Sequence, residues 1–187
     1  IAKPHLPFIA PKKYWDLYKR ADIVLEPFQE QNTNPISVAY HNAGEIRAYT
    51  DIPADIAATP QKGFGLALSG EKQKELIHGY YAAISYTDAL VGQLLNTIDS
   101  LGLASNTIIV LWGDHGWHLG DHDLWEKHTN LEQATRAPLI IAGPGIKAGK
   151  SNSLSEHIDI FPTICDLAGL AIPSQLQGKS LKPIMVF

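Results

Sequence analysis

The chain has 187 residues, of which 45% are hydrophobic and 18% are charged, and its net charge is −4. This length allows one or at most two domains, and the composition is typical of a folded globular protein rather than a disordered one. The acidic balance argues against the basic surface on which nucleic-acid binding depends, and the longest apolar runs are too short to span a bilayer. We therefore expect neither a nucleic acid nor a membrane among its partners.

The first third of the chain, residues 1–65, is rich in proline and has little periodicity. This pattern predicts an ordered arm that covers part of the surface and contains short helical turns, one of them at residues 12–20. Residues 66–187 show the regular apolar spacing of an α/β core. The chain begins at Ile1 without an initiator methionine, and we expect it to be part of a longer protein.

A long helix is predicted to begin at Ser69-Gly70-Glu71 and to end near Ser100. Its apolar residues recur at intervals of three and four and form one stripe, made of Ile77, Tyr80, Ile84, Val91, Leu94, Leu95 and Ile98. Asp88 falls on this stripe. Because a buried carboxylate needs partners, we expect Asp88 to accept structural hydrogen bonds.

Two short strands and a second helix follow the long helix. Residues 107–112 are apolar on both faces and predict a central strand of a covered sheet, and residues 139–142 predict a second strand. Residues 155–167 contain a helix, since their apolar members have helical spacing. The order of helix, strand, loop, strand and helix predicts an α/β fold.

The long loop after the first strand concentrates histidines and carboxylates. It opens with Gly113-Asp114-His115-Gly116, directly after Trp112. Open α/β sheets bind ligands beyond the carboxyl ends of their strands, and long loops in compact domains are usually functional. A carboxylate beside an imidazole on a glycine-flanked turn suits a metal ion that keeps positions open for a substrate oxygen. We therefore predict a metal site at Asp114 and His115.

Four segments, taken together and in order, resemble the type I sulfatases, most closely the iduronate-2-sulfatase-like branch. Each motif by itself is weak, but the combination is specific and leaves out only the arm around residues 20–65. The segments are Lys3-Pro4-His5-Leu6-Pro7-Phe8, the helical stretch 81–95, the loop from Gly113-Asp114-His115-Gly116 to Leu124-Trp125-Glu126-Lys127, and the closing stretch with Asp159-Ile160-Phe161-Pro162-Thr163, Leu167-Ala168-Gly169-Leu170 and Gln177-Gly178-Lys179-Ser180-Leu181.

The resemblance implies an alkaline-phosphatase-like α/β sandwich, with a mixed β-sheet flanked by helices, of which residues 1–187 are the second half of the catalytic domain. It also implies that a formylglycine hydrate, made from a cysteine or serine in a Cys-x-Pro-x-Arg-type motif, hydrolyses a sulfate ester. That motif does not occur in this chain. The single cysteine, Cys165, lies in a predicted helix, where we expect a small buried thiol. The nucleophile is therefore expected outside the chain, and the chain alone is expected to be inactive.

The resemblance assigns roles to particular residues. Asp114 and His115 match the second pair of metal ligands, and the implied metal is one Ca²⁺. From the donors alone a histidine would favour Zn²⁺, which we rank second. Lys127 matches a lysine that contacts the sulfate. His5 matches a histidine that contacts the sulfate or protonates the leaving oxygen. Lys127 and His5 are therefore assigned as catalytic residues.

Three further residues of the histidine-rich loop are candidates for lining the mouth of a substrate site, namely Trp117, His118 and His122. The expected activity is that of a metal-dependent sulfuric ester hydrolase acting on a sulfated sugar or a glycosaminoglycan-like substrate. The expected partners are this sulfated molecule and the remainder of the catalytic domain, and the expected location is periplasmic or secreted, or lysosomal in a eukaryote.

Two alternatives remain open from the sequence. The first is a phosphatase or phosphodiesterase of the same superfamily, which would need a further histidine ligand, for which His157 is the only candidate after the loop. The second is a non-catalytic binding or assembly module derived from a sulfatase. The Leu-Trp-Glu-Lys run at residues 124–127 favours a sulfatase over the first alternative. The missing nucleophile agrees with the second alternative, whereas the presence of Asp114, His115, Lys127 and His5 indicates that the parent protein was active.

Overall fold

The structure is a computed structural model that describes residues 3–30, 36–52, 66 and 68–185. The chain forms two compact units, the first from residues 1–95 and 115–137 and the second from residues 96–114 and 138–187. The chain contains both helices and strands, which confirms the α/β class. In chain order they are α1 (Lys12–Trp15), α2 (Gly70–Ser100), β1 (Ile109–Trp112), β2 (His118–Leu119), β3 (Trp125–Glu126), α3 (Glu132–Thr135), β4 (Leu139–Ala142) and α4 (Ile160–Leu167).

Helix α2 confirms the predicted long helix at both ends. Its apolar stripe is buried only over the N-terminal half, where Ile77 is 2% exposed, whereas Leu94 near the other end is 60% exposed. Asp88 is exposed as well, so the expectation of a buried, hydrogen-bonded carboxylate is wrong. The reason is that the described residues of the first unit cover mainly the N-terminal half of the helix. None of the helices among the described residues is long and apolar enough to cross a membrane.

The arm forms a large part of the hydrophobic core of the first unit, which differs from the expectation that it mainly covers the surface. Ile46, in a short 3-10 turn, is 1% exposed, and burying such a side chain contributes about 1.5–3 kcal/mol. Helix α1 lies within the predicted turn at residues 12–20, whereas residues 53–65 of the arm lie outside the described residues. The core consists of Leu6, Ile23, Ala43, Ile46, Ile52, Leu66, Leu68, Leu76, Ile77 and Trp125.

Strands β2 and β3 form an antiparallel hairpin inside the segment that the sequence predicted as a loop. His118 pairs with Glu126 and Leu119 pairs with Trp125. The connection begins at Gly120, whose φ of +106° lies in the left-handed region that favours glycine. A Cβ at this position would also approach the Gln73 side chain of helix α2 to 3.0 Å. The hairpin thereby fixes the backbone on which Glu126 and Lys127 lie.

Strands β1 and β4 form an antiparallel pair in the second unit, with Ile109 opposite Ala142 and Trp112 opposite Leu139. The first strand is two residues shorter at its start than predicted, and the second matches the prediction. Trp112 is 52% exposed and Ile140 is 59% exposed. They lie on opposite faces of the pair, because partners at one register position share a face. The expected covered sheet is therefore not found in the described residues, since two strands alone leave both faces partly open.

Helix α4 and the segments around it are joined by hydrogen bonds to Asp159. Its carboxylate accepts the backbone N–H groups of Glu156 at 2.9 Å and Lys179 at 2.8 Å, and these bonds lower the pKa of Asp159. Thr163 donates its hydroxyl to the Asp159 carbonyl and accepts the backbone N–H of Leu181. The closing motif at residues 159–181 therefore has a clear structural role.

Candidate functional site

A buried histidine stabilises the hairpin that carries the site. His118 has no exposed surface. Its Nδ1 lies 2.5 Å from the Asp121 carboxylate, and its Nε2 lies 2.8 Å from the Thr129 hydroxyl. Thr129 in turn accepts the backbone N–H of Leu131 at 3.2 Å. Because both ring nitrogens of His118 are used and the ring is enclosed, these contacts favour a structural role for His118 over contact with a substrate.

Lys127 and His5, which are 122 residues apart in the chain, are brought together in the first unit. Lys127 Nζ lies 2.9 Å from His5 Nε2 and 2.5 Å from Glu45 Oε2. His5 Nε2 lies 2.7 Å from the other oxygen, Glu45 Oε1. The Lys127 side chain is only 14% exposed. The two residues predicted to act on the sulfate therefore converge on a single carboxylate.

Glu45 belongs to this group although the sequence analysis did not single it out. It lies in the proline-rich arm, and its only local signal is a position next to the apolar Ile46. Burial by itself would raise the pKa of Glu45. The hydrogen bond and charge of Lys127, followed by the charge of His5, hold that pKa below its usual value. Glu45 is therefore ionised at neutral pH and serves as the counter-anion of the pair.

The His5 ring is oriented by a hydrogen bond to the backbone. Its Nδ1 lies 2.9 Å from the carbonyl oxygen of Leu6, so Nε2 faces Lys127 and Glu45. In the neutral ring this nitrogen accepts a hydrogen bond from the Lys127 ammonium, and in the imidazolium it donates one to the Glu45 carboxylate. An imidazole N–H at this position is the type of group that general acid catalysis uses.

Trp117 forms an aromatic wall beside the charged group. Its ring centroid lies 5.1 Å from Lys127 Nζ and 6.0 Å from the His5 ring. The indole N–H of Trp117 is buried and has no hydrogen-bond partner among the described residues. Since an unpaired buried donor is costly, a ligand acceptor atom at this position would be stabilised. This geometry supports the prediction that Trp117 contacts a substrate.

The predicted metal ligands lie where the two units divide in the chain. Asp114 ends one stretch of the second unit and is exposed, whereas His115 begins a stretch of the first unit and is half-buried. His115 Nδ1 lies 2.8 Å from the carbonyl oxygen of Gly116. Such a contact commonly orients a metal-binding histidine and leaves Nε2 as the ligating atom. One carboxylate and one imidazole fit a divalent cation, and the imidazole suits Zn²⁺ better than Ca²⁺.

His122 and His157 each contact a backbone carbonyl oxygen. His122 lies in the hairpin connection, with Nδ1 3.3 Å from the Glu30 carbonyl, and lines a shallow cavity together with residues 26–30. The structure thus places His122 with that segment of the arm. His157 belongs to the second unit, and its Nε2 lies 2.9 Å from the carbonyl oxygen of Gly113, the residue before Asp114.

The sequence matches known proteins over most of its length. A family model described as Sulfatase matches residues 2–170. Iduronate 2-sulfatase of Homo sapiens is 34% identical over 197 residues, which cover 91% of this chain and 35% of that protein. The N-acetylglucosamine-6-O-sulfatase of Bacteroides thetaiotaomicron is 41% identical over 123 residues, which cover 65% of this chain and 22% of that protein.

The fold also matches solved structures. The phosphonate monoester hydrolase of Silicibacter pomeroyi superposes with a TM-score of 0.75 at 28% sequence identity, covering 98% of this chain and 36% of that chain. The chain spans only about a third of the length of human iduronate 2-sulfatase, at 35%. The family match, the relatives and the superposition lead to one conclusion: the chain belongs to the sulfatase family and has an alkaline-phosphatase-like α/β fold.

Proposed function

We propose that the protein to which this chain belongs is a sulfuric ester hydrolase that acts on a sulfated saccharide. The observation that carries the proposal is the convergence of Lys127 and His5 on the two oxygens of the Glu45 carboxylate, at 2.5 and 2.7 Å. Two groups that hold adjacent oxygens of one anion are suited to hold those of a sulfate ester. The names of the two sulfatase relatives, which refer to iduronate and N-acetylglucosamine, support a saccharide as the substrate class.

Each residue of the group has a separate task in this proposal. Lys127 binds a sulfate oxygen, and its low exposure strengthens the attraction because little water screens the charge. His5 donates a proton from Nε2 to the leaving oxygen, and its ring is held for this task by the Leu6 carbonyl. Trp117 provides an aromatic face and an unpaired N–H donor beside both.

Asp114 and His115 would hold a divalent cation. We propose Ca²⁺ because the resemblance to the sulfatases implies it, and the imidazole ligand makes Zn²⁺ the second choice. When bound, such a cation stabilises negative charge on the sulfate. We propose a formylglycine nucleophile in a part of the protein outside residues 1–187, which would then be the second half of the catalytic domain. Cys165 is buried in helix α4, as expected, and its sequence surroundings lack the Cys-x-Pro-x-Arg motif. A periplasmic, secreted or lysosomal location agrees with this proposal.

A second candidate activity is the hydrolysis of phosphate or phosphonate esters. It is favoured by the similarity to a phosphonate monoester hydrolase and by the position of His157. His157 Nε2 lies 2.9 Å from the carbonyl oxygen of Gly113, the residue that precedes Asp114. A two-metal phosphatase would use His157 as an additional ligand. The convergence of Lys127 and His5 on one anion does not distinguish sulfate from phosphate. The Leu-Trp-Glu-Lys run at residues 124–127 favours sulfate.

The test compares the complete protein on nitrophenyl sulfate, a nitrophenyl phosphonate and a nitrophenyl phosphodiester. We expect kcat/KM to be highest for the sulfate and Asp114→Ala to lower activity and metal content together. Asp88→Ala, which alters an exposed aspartate of helix α2, is the matched control and should change neither quantity.

Three outcomes would contradict the proposal. Faster hydrolysis of the phosphonate or phosphodiester would establish the second candidate. An absence of turnover on all three substrates would favour a non-catalytic module. Full metal occupancy in Asp114→Ala would show that Asp114 is not a ligand.

A further inference from the structure

A second group of metal-type side chains lies in the first unit, and the proposed sulfatase reaction does not use it. It consists of His41 in the arm, Glu126 at the end of strand β3 and His128 two residues later. One nitrogen or oxygen from each residue lies within 4.8 Å of the others. His128 Nδ1 is 3.5 Å from Glu126 Oε2, and His41 Nδ1 is 4.0 Å from the same oxygen. The three side chains therefore converge on one point.

Glu126 is the buried anion of this group. Its side chain has no exposed surface, and its Oε1 accepts the backbone N–H of Ile46 at 2.5 Å. Its Oε2 is buried and has no hydrogen-bond partner in the part of the chain that the structure describes. Such an atom is costly unless a proton or a cation reaches it. The unpartnered oxygen faces the two imidazoles, so it points into the place that an ion would occupy.

His41 and His128 supply two nitrogen ligands that differ in their exposure to solvent. His41 is 14% exposed, and its Nδ1 accepts the backbone N–H of Ala43 at 3.0 Å. Its buried Nε2 has no hydrogen-bond partner within the described ranges. Burial, followed by the charges of His128 and His118, lowers the pKa of His41 to about 4, so the ring is neutral at pH 7. Ligation by either nitrogen of His41 costs the bond from Ala43. His128 is 58% exposed, and its ring can adjust to an ion.

We propose that His41, Glu126 and His128 form a binding site for Zn²⁺ or a similar divalent transition-metal ion, separate from Asp114 and His115. Tetrahedral zinc with bonds of ~2.0–2.1 Å places its donor atoms roughly 3.3 Å apart. The separations of 3.5 and 4.0 Å at Glu126 Oε2 are close to this value. Two imidazoles and one carboxylate are a zinc donor set with one position left for water, whereas Ca²⁺ and Mg²⁺ take oxygen ligands.

A bound ion would also act on the neighbouring charged group. His41 and Glu45 lie in the same stretch of the arm, and Glu126 and His128 flank Lys127 in the chain. The ion would join His41 of the arm to Glu126 and His128 at the end of the hairpin. It would also neutralise the negative charge of Glu126, which otherwise repels the negative charge of Glu45. The site would therefore stabilise the position of Lys127 without touching the substrate.

The test uses the complete protein carrying Asp114→Ala, treated with a chelator, so that the metal site proposed at Asp114 and His115 is not counted. Zn²⁺ binding is measured by calorimetry and Co²⁺ binding by visible absorption. We expect one equivalent of Zn²⁺ and the intense visible bands of tetrahedral Co²⁺. Adding His128→Ala, which removes an exposed ligand, should weaken Zn²⁺ binding by ~10²-fold or more, and Glu126→Gln should do the same.

The matched control is His122→Ala, which removes a histidine of the same hairpin that lies outside the group. It should leave Zn²⁺ affinity and the Co²⁺ spectrum unchanged. The proposal is overturned if the Asp114→Ala protein binds no Zn²⁺, or if His128→Ala binds it as tightly as before. The first result would indicate that a proton, rather than a metal ion, satisfies Glu126, and the second would show that Zn²⁺ binds at another place. Because the readout is metal binding, the outcome does not depend on which ester the protein hydrolyses.

Discussion

The replacement Glu45→Gln tests whether the contacts of Lys127 and His5 are electrostatic. The amide keeps the size of the side chain and one acceptor oxygen but removes the charge. A hydrogen bond to a charged group contributes about 1.5–3 kcal/mol, against about 0.5–1.5 kcal/mol for a neutral one, so each contact should lose ~1 kcal/mol. The loss at the Glu45–His5 contact should be smaller than this, because the His5 side chain is 42% exposed and water screens its charge. Relief of the repulsion between Glu45 and Glu126 offsets a further part, which leaves a net loss of about 1 kcal/mol.

The pH dependence of this loss distinguishes charge from shape. The folded state lowers the pKa of Glu45 below its ordinary value of 4.5. The stabilisation by Glu45 is therefore fully present above pH 4.5 and is lost as the pH falls through the folded-state pKa. The assay is urea unfolding followed by tryptophan fluorescence between pH 3 and pH 7, with the exposed Glu26→Gln as control. A difference between wild type and Glu45→Gln that stays constant over this range would refute the reasoning.

Three further predictions follow from the same contacts. His5→Ala should lower kcat/KM strongly for an unactivated sugar sulfate and much less for nitrophenyl sulfate, whose leaving group needs little protonation; equal losses on both would make His5 a sulfate binder only. His118→Ala should destabilise the protein by about 3 kcal/mol, because it leaves the buried Asp121 carboxylate without its partner, and an unchanged unfolding midpoint would contradict this. The isolated chain of residues 1–187 should show no sulfate-ester turnover, which an assay of the purified chain without any other polypeptide can disprove.

The sequence predicted the elements whose signals are local. Helix α2 and strand β4 occur where periodicity and flanking residues placed them, because those signals depend only on near neighbours. The two antiparallel pairings, of β1 with β4 and of β2 with β3, were not predicted. Strand β2 and strand β3 have two residues each, too few for an alternating pattern. Asp88 was misjudged because spacing identifies a helical face but does not identify what packs against it.

The residues of the candidate site also fall into those that local sequence indicated and those that only the folded chain reveals. Lys127 and His5 were found through motifs, but their contact spans 122 residues and could not be read from local sequence. Glu45 and His41 lie in the proline-rich arm without a recognisable pattern, so their part in the two charged groups appears only in the folded chain. For Glu126 the sequence indicated exposure, because a glutamate beside a lysine is usually part of a solvated charged pair, whereas the structure buries it. Its complete burial follows from the hydrogen bond to Ile46 and the pairing of strand β3.

The most direct test of the account is the kcat/KM of Lys127→Ala in the complete protein with nitrophenyl sulfate, measured together with metal content. If Lys127 holds the sulfate, kcat/KM should fall by ~10²-fold or more while metal content stays near the parent value. The control is Lys12→Ala, which alters a lysine of the same unit that is 84% exposed and should change nothing. A Lys127→Ala enzyme as active as the Lys12→Ala control would contradict the central claim.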